Sequence, residues 1–143
     1  MKNKPAFFCG LGENQISYKS IEKYVDIVSI DWNNIEINRL KADTVIGFSF
    51  GGILACEYAL KYKVKTLILC SMTTGVETLS SLNVDKIIFI VGEKEKWVIK
   101  DIHRLRRGLN CPSQIFIVHG ADHKLIGKYR SELLKLIREE KSV

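Results

Sequence analysis

The feature that most constrains this chain is a repeated switch in hydrophobic period. Short runs of nearly unbroken apolar residues alternate with stretches that space apolar residues as a helix does. The runs at 44–48, 64–70, 86–91 and 114–118 are the clearest, and Ile87-Ile88-Phe89-Ile90-Val91 is the most continuous. A strand that is apolar on both faces has to be covered on both faces, and a helix between strands returns the chain for parallel pairing. The pattern predicts an α/β fold: a mostly parallel six-stranded sheet with helices on both faces. The strands are expected at 6–9, 27–31, 44–48, 64–70, 86–91 and 114–118. Helices are expected at 16–24, 35–41, 51–62 and 98–109, and from His123 or Lys124 to about Glu140. Residues 71–84 are Ser/Thr-rich and read as a loop with room for one helical turn.

At 143 residues the chain reads as one domain, 1–143, able to bury an ordinary core without staples. With 46% hydrophobic and 27% charged residues it is not a disordered chain. No run approaches a membrane span, and the first apolar stretch breaks at Gly10, too early for a secretory leader. Lys and Arg exceed Asp and Glu by 22 − 16 = 6. That excess favours solubility and is compatible with an acidic partner. The Arg104, Arg106 and Arg107 cluster lacks interleaved aromatics, and no nucleic-acid motif accompanies it, so nucleic acid is not expected as a partner. Cys9, Cys56, Cys70 and Cys111 have neither CxxC spacing nor histidines at zinc-site distances. Reduced thiols in a cytoplasmic protein, with no metal and no cofactor, are the simplest expectation.

One segment carries chemistry. Gly47-Phe48-Ser49-Phe50-Gly51 fits G-x-S-x-G and lies where an expected strand gives way to an expected helix. A serine raised on that sharp turn needs small neighbours two residues away, and Gly47, Gly51 and Gly52 provide them. Ser49 is therefore the candidate nucleophile.

A serine nucleophile needs a base, and the base needs an orienting acid. His103 lies within an expected helix among arginines, on a solvated face. His119 and His123 flank Gly120-Ala121-Asp122, just past the last strand, at the sheet edge where Ser49 emerges. His123 stands farther from the strand and is the better placed to reach over the turn. The acid belongs to the loop after 86–91, where Glu93 and Glu95 both qualify; Asp122 adjoins the histidine and competes less well. Negative charge developing on a tetrahedral carbon needs pre-aimed N–H donors. The Phe50 N–H, directly after Ser49, is one. Gly10-Leu11-Gly12, after the first strand, offers the second, the Leu11 N–H with Gly12 next.

With these residues in place the chain resembles the α/β-hydrolases over nearly its whole length. The elbow Gly47–Gly51 is the most specific match. The segment 91–98 resembles the family's acid loop, where the acid follows a glycine by three positions; this implies Glu95 rather than Glu93. His119-Gly120-Ala121-Asp122-His123 resembles the small-residue segment ending in the base, which again implies His123. The chain departs from the family in having Glu for the usual Asp and Cys9-Gly10 for a frequent His-Gly. It also begins almost at the oxyanion strand, without the N-terminal hairpin, and leaves no space for a cap between 71 and 84.

The resemblance implies a serine hydrolase of the carboxylesterase or thioesterase type, with Ser49 as nucleophile, His123 as base and Glu95 as orienting acid. Leu11 and Phe50 would form the oxyanion hole, and Gly12, Phe48, Met72 and Trp97 would contact substrate. The substrate would be a small acyl ester or thioester, including one carried on an acidic acyl carrier protein. A homodimer could cover the sheet edge that the missing hairpin exposes. The alternatives are an inactive binding protein of the same fold, or an acyltransferase using the same residues.

Overall fold

The computed structural model describes residues 3–72 and 74–141. Its strands are β1 (Ala6–Phe8), β2 (Asp26–Ile27), β3 (Thr44–Phe48), β4 (Val64–Cys70), β5 (Val84–Gly92) and β6 (Ser113–Val118). They form one sheet in the order β2-β1-β3-β4-β5-β6, and every neighbouring pair is parallel. The helices are α1 (Phe50–Lys61), the single turn α2 (Val76–Ser80), α3 (Lys96–Arg106) and α4 (Gly127–Lys141), with a 3-10 helix at Gln15–Ile21.

Successive strand side chains point to opposite faces. Phe8, Val45, Leu67, Leu69, Ile87, Phe89 and Val91 therefore face one way, where Leu54, Ala55, Leu79, Ile102 and Leu105 of α1, α2 and α3 cover them. Phe7, Ile46, Ile68, Cys70, Ile88 and Ile90 face the other way, against Tyr18 and Ile21 of the 3-10 helix and Tyr129, Leu133, Leu136 and Ile137 of α4. The strands are apolar throughout because each of their faces is a core. Among the described residues, no helix is long and apolar enough to cross a membrane, and all four cysteines are free.

Some expected elements differ. No helix forms at 35–41; this stretch is irregular in the structure. Seven residues are too few to offset helix nucleation unaided. Ile37, Leu40 and Ala42 bury themselves instead against the α1 face, and the Tyr58 hydroxyl bonds both the N–H and the carbonyl of Leu40 (2.9 and 3.3 Å). The strand expected at 27–31 shortens to Asp26–Ile27, paired with Ala6 and Phe7 of the three-residue β1, and the Val28 N–H still donates to the Phe7 carbonyl at 2.9 Å. The helix expected at 16–24 is the 3-10 helix, capped by Asn14 and Ser17. The final helix begins only at Gly127, a residue at φ +54°, and leaves 119–126 as a loop at the C-terminal edge of the sheet.

Candidate active site

Ser49 occupies the junction of β3 and α1 at φ 55° and ψ −123°, a strained backbone for a non-glycine residue. Its N–H donates to the Cys70 carbonyl at 2.8 Å, and its carbonyl accepts from Gly52 N–H at 2.9 Å. Both bonds pin the turn. The surrounding glycines have steric causes. A Cβ on Gly47 would come within 2.4 Å of Gly51 O and Gly52 Cα, and one on Gly51 within 2.1 Å of Phe8 O. One on Gly52 would strike the Met72 side chain at 2.3 Å. At Gly47 and Gly51 the obstacle is backbone, so the turn folds as it does only with glycine there; at Gly52 the Met72 side chain would have to move.

The 119–126 loop brings His123 over this turn. His123 Nε2 lies 2.9 Å from Ser49 Oγ, and Nδ1 lies 2.5 Å from Glu95 Oε1. The imidazole leans on the Phe48 ring, with centroids 5.3 Å apart. Glu95 sits between β5 and α3 with its side chain only 6% exposed. Its other oxygen, Oε2, accepts from the Gly92 N–H and the Ser71 hydroxyl, both at 2.7 Å. Gly92 packs where a Cβ would meet Ala121 O at 2.4 Å, so the acid loop and the histidine loop touch directly. The Glu93 N–H to Val118 carbonyl and Lys94 N–H to Ala121 carbonyl bonds, each 2.9 Å, tie them further.

Glu93 and His119 form a separate pair outside this row. Their atoms are 3.2 Å apart, and Glu93 also accepts the Gly120 N–H at 3.0 Å. The Gly120 N–H, then His119, hold the Glu93 carboxyl below its ordinary range. His119 is exposed, and His103 is an exposed residue of α3.

The Gly10–Gly12 loop is braced from beneath. Glu13 N–H donates to the Gly10 carbonyl at 3.0 Å, the Tyr18 hydroxyl donates to Glu13 Oε1 at 2.6 Å, and Trp32 Nε1 donates to the Glu13 carbonyl at 3.0 Å. A Cβ at Gly10 would lie 2.2 Å from that Glu13 oxygen, and Gly12 has φ +73°. Burial and the nearby Glu13 push the Tyr18 phenol up, so it stays a donor. Phe50 is the first residue of α1, where a helix N–H has no helical carbonyl to bond and the helix dipole favours negative charge.

The remaining expected contact residues differ in setting. Phe48 is buried beneath His123 and against Tyr18 and Tyr129. Met72 is buried beside Gly52. Gly12 lies in an open loop, and Trp97 is 78% exposed with Lys100 Nζ 5.6 Å from its ring centre. Phe50, which packs on Trp32, lines an open cleft of about 610 Å³ with Ile35, Ile53 and Tyr58.

Sequence reasoning missed Ser71, Tyr129, Glu13 and Tyr18. A hydroxyl immediately after β4, on the same edge as Ser49, was a usable signal for Ser71. Tyr129 reads only as one more apolar position of the last helix. The thiols are poor alternative nucleophiles: burial pushes Cys9 and Cys56 up to about 12 and raises Cys70 and Cys111 as well. Among the described residues, no group of three or more His, Cys, Asp or Glu side chains is arranged to hold a metal ion.

No protein-family model matches the chain, and no curated protein matches its sequence. Solved structures do match. A dienelactone hydrolase from Anabaena variabilis superposes with a TM-score of 0.75 at 14% identity, over 96% of this chain and 84% of that one. An M. tuberculosis esterase gives 0.74 at 11% identity, over 99% and 86%. A lipase-esterase related protein from Clostridium acetobutylicum gives 0.72 at 13% identity, over 96% and 93%. The chain has the α/β-hydrolase fold.

Proposed function

We propose that this chain is a serine hydrolase that cleaves a carboxylic ester or thioester through an acyl-enzyme on Ser49. The observation that carries the reading is the row of contacts from Ser49 Oγ through both ring nitrogens of His123 to Glu95, at 2.9 and 2.5 Å. The esterases and hydrolases among the structures of the same fold support it. With Glu95 accepting the Nδ1 proton, Nε2 carries the lone pair and faces the hydroxyl. Ser49 attacks the acyl carbon, and its proton passes to His123. The oxyanion that forms is met by the N–H groups of Phe50 and Leu11. His123 then gives the proton to the departing alcohol or thiol. A water molecule, deprotonated by the same nitrogen, releases the acid and restores Ser49.

In this reading Phe48 seats the imidazole, Gly12 lets the oxyanion loop approach, and Met72 backs the elbow. The cleft beside Phe50, lined by Ile35, Ile53 and Tyr58 together with Glu57 and Lys61, is the candidate space for an acyl group, and the exposed Trp97 would meet a carrier-borne substrate. The test is rapid mixing with p-nitrophenyl acetate and butyrate and with a matching acyl thioester. The expected result is a burst close to one equivalent of leaving group followed by slower turnover, absent in Ser49→Ala. Folded wild-type protein with neither burst nor turnover, from roughly pH 6 to 9, would overturn the reading in favour of a binding protein of this fold.

A further inference from the structure

We propose that Ser71 and Tyr129 form a buried hydroxyl clamp that fixes the Glu95 carboxylate for His123, making both of them positioning residues; this rests on the hydrolytic reading above. Ser71 directly follows β4, is 3% exposed and has φ +54°. Such a backbone is unfavourable for a non-glycine residue, and glycine would take it freely. A serine here is informative because its side chain is used: Oγ donates to Glu95 Oε2 at 2.7 Å. Tyr129 arrives from α4 with no exposed surface, and its hydroxyl lies 2.6 Å from Ser71 Oγ and 2.9 Å from the Ile90 carbonyl.

Counting protons orients the chain of bonds. The hydroxyls supply one proton each. The Ile90 carbonyl already accepts the Ser71 N–H at 2.8 Å. The proton of Ser71 is directed at the carboxylate, so the 2.6 Å contact is bonded only when the Tyr129 proton lies in it, with the Ile90 carbonyl as a secondary acceptor. The order is Tyr129 to Ser71 to Glu95. Burial, above all, raises the Tyr129 phenol and keeps it protonated. With Gly92 N–H as a second donor, Oε2 is held from two sides and Oε1 is left for His123. The clamp removes the extra torsional freedom that Glu has over Asp. Among the described residues, the titratable groups His123, Tyr129 and Cys70 interact with Glu95; burial raises the Cys70 thiol, so it stays neutral.

Removing the Ser71 donor leaves more of the carboxylate's charge to stabilise protonated His123. The experiment follows the His123 ring by NMR titration in isotope-labelled protein, assigned with His123→Ala, alongside kcat and KM. Ser71→Gly suits the positive-φ backbone and removes the hydroxymethyl group, and with it the hydroxyl donor. It should raise the His123 midpoint by about half to one pH unit and lower kcat on the order of 10-fold, with KM within about two-fold. Tyr129→Phe should move both in the same direction by less. If Ser71 merely shapes the turn, folded Ser71→Gly keeps the wild-type midpoint and kcat, and that result overturns the proposal. The titration does not need turnover. An inactive wild type whose midpoint still rises in Ser71→Gly would retain the clamp and reject the hydrolytic reading.

Discussion

Replacing His123 by alanine is expected to lower the turnover of an activated ester on the order of 10⁴–10⁶-fold. His123 Nε2, the proposed base, lies 2.9 Å from Ser49 Oγ. Alanine leaves the hydroxyl protonated, and the leaving group departs without a proton donor. His119→Ala is the matched control. His119 is bonded to Glu93 at 3.2 Å on an exposed part of the same loop, so its loss should change turnover less than about two-fold. Steady-state kinetics on both variants, with circular dichroism to show that they are folded, checks the pair.

The second large effect is expected from Glu95→Gln, a loss on the order of 10⁴-fold in kcat. The reason lies in the donors around the carboxylate. The Gly92 N–H and the Ser71 hydroxyl both point at Oε2. A glutamine satisfies them only by placing its oxygen there, which turns its NH₂ group toward His123 Nδ1. The imidazole must then accept at Nδ1 and carry its proton on Nε2, facing Ser49. That tautomer has no lone pair for the serine proton. Glu93→Gln leaves an oxygen for the Gly120 N–H and lies outside the row, so kcat should stay within about two-fold. A large loss in Glu93→Gln with a small one in Glu95→Gln would mean that the acid loop acts two residues out of this register.

Much of this arrangement is legible in the chain because it rests on local constraints. The strands at 44–48, 64–70 and 86–91 are nearly continuous apolar runs, and the sheet buries both of their faces. Gly47, Gly51 and Gly52 flank the serine because any side chain would strike backbone or Met72 within 2.4 Å. His123 over His119 followed from its place farther beyond the last strand, and Glu95 over Glu93 only from the resemblance to the family's acid loop; in the fold His123 lies between Ser49 and Glu95. The failures are of another kind. Residues 35–41 carry a weak helical pattern, but their apolar side chains and the Leu40 backbone are taken by α1 and Tyr58, contacts between parts of the chain far apart in sequence. Tyr129 is missed for the same reason: its hydroxyl acts across the core, on Ser71, 58 residues away. Trp97 reads as an apolar residue near the site, yet its position at the head of α3 turns it to solvent.

The most direct measurement is the intact mass and peptide map of the protein after exposure to a fluorophosphonate, which reacts far faster with a serine activated by a base and an oxyanion hole than with an ordinary hydroxyl. One adduct per chain is expected, located on the peptide containing Ser49, lost in Ser49→Ala and strongly slowed in His123→Ala. Unmodified, folded wild-type protein, or an adduct on any residue other than Ser49, would contradict it.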